Sequence, residues 1–415
     1  MSTLYVLFLL LVIAYLGGFL MGGRGLRGVG LPSGSEWVVL GFLLGPSALG
    51  TVSGEDLSSF APVASIAIGW IALLVGLTFG VNGGRRIPAS RLVLGAVAGG
   101  LCAGAVAAAV WGTLTWVPAA AASLPSSRDR LIVALGTGSA LGETARPALR
   151  WVVERLGAQG PLTDLLGDLA WTDELFPLLA VGAIVGLDTS LGIRSLPGGS
   201  LALGALLGLL TALLLGRRLR TTWFWALLFG TSLFATGVAQ QLDVSVLSTL
   251  FALGLALALA SPLRAEIRAL PAWIEGPVVL PALFIAGARA WAGGTAAVWV
   301  VGAALLARLV SKGLTALVVA AAYPVARRAG PPLGLALDAA GPLSIAIGLS
   351  FQLRFPGVVG DTVLAAAAAA AVAGEFIGPP ALRLSLRRAG ELPDVAPARS
   401  DTAAAGTAAG VEAGR

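Results

Sequence analysis

Apolar runs of about twenty residues recur along the chain, separated by short segments rich in glycine, proline and arginine. A helix needs roughly 20 apolar residues to cross a bilayer. Thirteen runs meet that need, centred near Val12, Leu44, Ile71, Gly100, Gly138, Leu179, Leu209, Leu228, Leu255, Ala282, Leu309, Ile347 and Ala370. The pattern predicts an all-α polytopic membrane protein with about 13 transmembrane helices. The fifth run is the most interrupted, by glycine and charge. The first, Leu4 to Met21, has no basic flank and no clear cleavage site, so it reads as a span and not as a signal peptide. Residues 1–388 thus form one transmembrane domain. After Arg388 the chain turns to Ala, Gly, Pro, Asp and Glu without apolar period, and 389–415 reads as a disordered cytoplasmic tail.

Composition agrees: 57% hydrophobic, 12% charged, mean hydropathy +0.90, against about 25% charged in soluble domains. The net charge of +6 does not imply nucleic acid, because the arginines sit between apolar runs and no basic patch is interleaved with aromatics. Alternate connections hold Arg24 and Arg27, then Arg85, Arg86 and Arg91, and on to Arg383, Arg387 and Arg388; the opposite set holds far fewer, Arg128, Arg130, Arg194 and Arg354. That bias predicts an N-terminus outside and a C-terminus in the cytoplasm, in the cell (inner) membrane. Histidine is absent and Cys102 is the sole cysteine, which excludes Ser-His hydrolases, His-ligated metals and two-cysteine zinc motifs. No cofactor, and no metal beyond a transported cation, is expected.

Ionisable groups inside a bilayer cost about 2.5–3.5 kcal/mol each on insertion scales, which makes them functional candidates. Four places qualify. Asp173 and Glu174 lie inside the sixth span, with Asp168 nearer its start. Adjacent helical residues point about 100° apart, so one of the two acids is expected to face a site directly. Lys312, in the eleventh span, is the only lysine; every other basic residue is arginine. An amine can lose its proton when buried, whereas a guanidinium cannot. Arg308 lies one turn earlier on the same face and is the alternative or second partner of the acids. The third place is "LGTGSALGETARPALRW", with Glu143 and Thr144, and the fourth is "LDAAGPLSIAIG", with Asp338, Gly341 and Pro342. Both read as interrupted helices. Paired interruptions in corresponding halves mark an inverted-repeat secondary transporter with a midplane site. Small residues four apart, such as Gly41 with Gly45 and Gly95 with Gly99, allow close helix packing.

Four motifs together carry a family resemblance: "EWVVLGFLLGPSALG" (36–50), "VGLTFGVNGGRR" (75–86), the stretch from "ETARPALRW" to "WTDELF", and "VAQQLDVSVLSTLFALGLALA". They resemble the monovalent cation/proton antiporter-2 family of the sodium/proton exchanger superfamily, over roughly residues 1–388. The resemblance implies an antiporter fold with inverted repeats, two broken crossing helices, a six-helix core that moves against a dimerisation domain, and a homodimer. Asp173 and Glu174 fall where the family has Asp-Asp or Asn-Asp. Thr144 matches the threonine of the unwound segment, and Lys312 the lysine paired with the acids in electrogenic members. Two departures stand out: Thr78 replaces an acid, and Pro342 follows Gly341 where a glutamate is usual.

The expected activity is exchange of protons for a monovalent cation, sodium first and potassium second, at Asp173 and Glu174, with Lys312 balancing the empty site. Membrane lipid and a second copy of the chain are the other partners expected. A channel or uniporter of the same shell is the alternative. An embedded enzyme is the more distant one: the Gly-Leu-Gly-Asp motif of intramembrane aspartyl proteases is missing, and acyltransferases commonly use histidine.

Overall fold

The computed structural model describes residues 33–79, 81–82, 85–188, 198–215, 221–261, 271–290 and 294–393. The expected first span lies outside these residues. The helices in chain order are α1 (Ser35–Leu44), α2 (Gly54–Ser59), α3 (Ala61–Thr78), α4 (Ala89–Trp116), α5 (Pro118–Ser123), α6 (Ser127–Ala140), α7 (Arg146–Leu156), α8 (Pro161–Thr172) and α9 (Leu175–Asp188). They continue as α10 (Gly199–Leu215), α11 (Thr221–Gln241), α12 (Val246–Ala260), α13 (Pro271–Arg289), α14 (Gly294–Ala322), α15 (Pro324–Ala329), α16 (Pro332–Ala336), α17 (Pro342–Arg354) and α18 (Val358–Ala389). Each of the twelve other predicted span centres falls within one of them. A two-residue antiparallel ladder, Val81–Asn82 with Arg85–Arg86, is the only strand pairing among the described residues. Five helical segments are long and apolar enough to cross a membrane, and several shorter apolar helices accompany them. The chain is a multi-pass membrane protein.

The helices fall into two packed groups. In the first, α12 packs between α3 and α10, and α1 packs along α13. In the second, α4 contacts α6, α8 and α14, and α18 contacts α14, α16 and α17. The groups meet where α17 touches α3 and α13 and where α18 touches α1 and α13. Glycines set the closest approaches. A side chain on Gly41 would stand 2.1 Å from the Phe284 carbonyl, so α1 and α13 touch backbone to backbone.

Two interruptions position the site. The first separates α6 from α7 at residues 141–145, and the second separates α16 from α17 at 337–341. Proline marks the restart in each: Pro147 in the first turn of α7 and Pro342 at the start of α17. Proline has no N–H to lose at these positions, and its fixed φ suits the first helical turn. The two interruptions cross, and the Ala145 N–H donates to the Ala339 carbonyl at 2.8 Å. The expected pair of broken crossing helices is thus present.

At the other end of the chain, Glu391 is buried against the start of α8. Its carboxylate accepts from the N–H groups of Leu162 (2.6 Å) and Thr163 (2.7 Å) and from the Thr163 hydroxyl. A helix start leaves such N–H groups unpaired and carries partial positive charge, so a carboxylate is stabilising there. Residues 394–415, the rest of the expected tail, lie outside the described residues.

Candidate functional site

Asp173 and Glu174 occupy a turn between α8 and α9, not the interior of one regular helix as the sequence pattern predicts. The cause is local: Pro177 has no N–H to give the Asp173 carbonyl, so the ladder skips a bond there. The kink is accommodated by α4. A side chain on Gly95 would meet the Thr172 hydroxyl at 1.7 Å, and one on Gly99 would meet the Asp173 carbonyl at 2.5 Å. The small-residue pair therefore seats the acids against α4.

Asp173 faces the first interruption and is fully partnered. Its Oδ1 accepts from the Thr144 N–H at 3.2 Å, and its Oδ2 accepts from the Thr144 hydroxyl at 2.6 Å. Lys312 Nζ lies 3.1 Å from the same Oδ2. An ammonium has three donors, and here each has an acceptor: Asp173 Oδ2, Thr144 Oγ1 at 2.8 Å and the Gly142 carbonyl at 3.1 Å. Lys312 is 2% exposed and Asp173 4%. A buried pair of this kind holds only when hydrogen bonds satisfy the remaining donors, and that condition is met.

Glu174 points elsewhere. Its Oε1 accepts from Arg146 Nε at 2.6 Å, while its Oε2 is buried with no hydrogen-bond partner. The Arg146 guanidinium also lies over the Trp171 ring, 3.5 Å from its centre. Both side chains border a cleft of about 390 Å³, counting its open mouth, together with Glu143, Gly341 and Pro342. Ile71 of α3 and Val279 of α13 also line it.

Arg308 serves the crossing itself. Its guanidinium donates to the carbonyls of Leu141, Glu143 (2.9 Å), Asp338 (3.1 Å) and Ala339 (3.0 Å), and Nε lies 3.3 Å from Asp338 Oδ1. These are carbonyls freed where the helices break. A planar fork of five donors suits that task better than an ammonium. Lys312, not Arg308, therefore meets Asp173, and Arg308 meets Asp338.

Glu143 caps the second interruption from the first. Its Oε1 accepts from the Gly341 N–H (2.9 Å), the Ser344 N–H (3.3 Å) and the Ser344 hydroxyl (2.6 Å) at the start of α17. The carboxylate missing after Gly341 is thus supplied across the crossing, at the positive end of a half-helix. Asp168 stands apart from this cluster, paired with Arg91 at 2.7 Å. Cys102 packs between α14 and the first interruption, accepting from the Ser311 hydroxyl at 3.0 Å.

Sequence reasoning gave no role to Arg146 or Ser344. An arginine in a span is itself a signal, but its partner lies 28 residues away, at no helical spacing.

No protein-family model and no curated protein matches the sequence. In fold, 51 solved chains match. One is the sodium proton antiporter MjNhaP1 from Methanocaldococcus jannaschii, in a structure at pH 8. It is 15% identical, and the match covers 94% of this chain and 99% of that one with a TM-score of 0.68. The likeness is one of backbone path, and it agrees with the antiporter fold expected from the sequence.

Proposed function

We propose that the chain is a secondary active transporter, not an enzyme, that exchanges protons for a monovalent cation by alternating access. Sodium is the first candidate and potassium the second. The observation that carries this reading is the charge count at the crossing. Four carboxylates (Glu143, Asp173, Glu174 and Asp338) meet three cationic side chains (Arg146, Arg308 and Lys312). With all seven ionised, one negative charge is left over. Unpaired buried charge is costly, so the site calls for one added positive charge, which a proton or a monovalent cation supplies equally.

Roles follow from position. Glu174 Oε2, without a partner and beside the cleft, is the first point of contact for either ligand. Asp173 is the second ligand, released when Lys312 gives up its proton. Thr144 holds Asp173 in place throughout. Exchange of the cation for the Glu174 proton keeps the charge of the site constant; a second proton, given up by Lys312 as the cation takes its place on Asp173, would make the exchange electrogenic. Glu143, Asp338 and Arg308 keep the two interruptions registered.

The arginine bias supports an N-terminus outside and a cytoplasmic C-terminus in the cell (inner) membrane, with residues beyond Pro393 as a cytoplasmic tail. A homodimer formed through the first spans and their repeat mates rests on the family resemblance.

Purified protein in proteoliposomes, driven by an outward sodium or potassium gradient, tests the reading. Internal pH should change with cation addition. Asp173→Asn and Glu174→Gln should each abolish or severely cut exchange while the protein stays monodisperse in detergent. Parental exchange by both variants would remove the assignment, and cation flux without proton movement would favour the uniporter.

A further inference from the structure

The geometry points to Arg146 as a tethered cation that competes with the transported ion for Glu174 and so sets the cation affinity of the site. This deepens the exchange reading and rests on it.

Three observations carry it. First, the pair is one-sided. Arg146 Nε holds Glu174 Oε1 at 2.6 Å, and Oε2 has no hydrogen-bond partner. Arginine commonly grips a carboxylate with two parallel bonds when the purpose is to fix it. Second, the two ends differ in access. The Arg146 side chain is 21% exposed and borders the cleft, while the Glu174 side chain is 3% exposed. A guanidinium at the cleft can withdraw toward water without leaving a buried charge of its own. Third, the Trp171 ring supports it: the guanidinium already stacks on that face at 3.5 Å. A ring face attracts a cation without neutralising it, so the arginine has a second contact when its carboxylate bond breaks.

The charged groups facing Glu174 are Arg146, Glu143 and Asp173, with Lys312 behind Asp173. The side chains of α3 and α13 seen to border the cleft, Ile71, Leu74, Val75 and Val279, are apolar. Glu143 is held by the start of α17 and Asp173 by Lys312 and Thr144. Arg146 is therefore the one positive group whose partner is the open acid. With it on Glu174, an arriving cation must displace a charge of the same sign. With it gone, Glu174 attracts cations and protons more strongly.

Direct binding of radioactive sodium to the purified protein, by scintillation proximity, tests this on the parent, Arg146→Gln and Arg146→Lys. At alkaline pH, where protons compete least, Arg146→Gln should bind sodium about tenfold more tightly, which is about 1.4 kcal/mol. Its pH of half-maximal binding should move to the alkaline side, because the proton also gains. Arg146→Lys should stay near the parent on both counts. A purely structural pair would lower the fraction of competent protein and leave affinity and pH profile unmoved. Parental affinity in Arg146→Gln, weaker binding in it at alkaline pH, or a lysine variant that behaves like glutamine would each overturn the proposal. If the parent binds sodium but exchanges nothing, only the exchange reading falls. If the parent binds neither sodium nor rubidium, both fall.

Discussion

Removing the charge at Lys312 gives the sharpest test of how the site is balanced. At 3.1 Å and an effective dielectric constant of about 20, the attraction between the ammonium and Asp173 is about 5 kcal/mol. Deleting one partner of a buried pair costs about 3–5 kcal/mol, because the other charge is left uncompensated. Lys312→Gln should therefore destabilise the protein by an amount in that range at pH 8.5. The variant has an escape: a proton on Asp173 cancels the orphaned charge, and each pH unit is worth about 1.4 kcal/mol to that proton. The parent has no such need, since Lys312 already serves. The gap in thermal stability between the two should thus shrink as pH falls toward 5. In transport, Lys312→Gln should lose electrogenicity, because the proton carried by the amine is gone. Lys312→Arg keeps the charge, but its guanidinium cannot deprotonate and does not match the three acceptors around Nζ. It should fold, and it should lose proton coupling or its pH dependence. Thermal melts across pH, with currents on supported membranes, measure both. A stability gap for Lys312→Gln that does not change with pH would refute the pairing argument. Parental rate, pH profile and voltage dependence in Lys312→Arg would refute the coupling role.

Two further outcomes follow from packing. Gly95→Ala places a methyl group 1.7 Å from the Thr172 hydroxyl, which forces α4 away from the α8–α9 turn; overpacking of this kind costs about 1–3 kcal/mol, and exchange should fall with melting temperature, whereas Gly104→Ala, with open space around it, should change neither. Glu391→Ala removes the acceptor for the first N–H groups of α8, so it should cost about 1 kcal/mol as lost caps do and should raise hydrogen exchange at Leu162 and Thr163 with little effect near α17; unchanged protection at those amides would refute the capping role.

Much of this protein is legible in one dimension. In lipid a backbone must satisfy its own hydrogen bonds, so a run of about twenty apolar residues has little choice but helix, and twelve of the predicted centres fall within helices accordingly. The interruptions are legible for the same kind of reason. Gly142, Pro147, Gly341 and Pro342 are residues that stop or start a helix through their own backbone chemistry, whatever surrounds them. Even the isolation of Lys312 among arginines is a sequence fact that marks its position.

What the residues could not disclose is which charge meets which. Lys312 and Asp173 lie 139 positions apart, and Glu143 reaches Gly341 across 198. No periodicity spans such distances. Arg308 and Lys312 share one face of α14 and are equivalent by pattern, yet four freed carbonyls claim the guanidinium and one carboxylate claims the amine. The acids behave likewise. As neighbours in sequence Asp173 and Glu174 are rivals for one site, and the turn before Pro177 sends one to the crossing and the other to the cleft. Those assignments were settled only by the folded chain, because a buried charge is stable solely where opposite charge and hydrogen-bond partners converge on it. Convergence is a property of the crossing of two broken helices and not of any stretch of sequence.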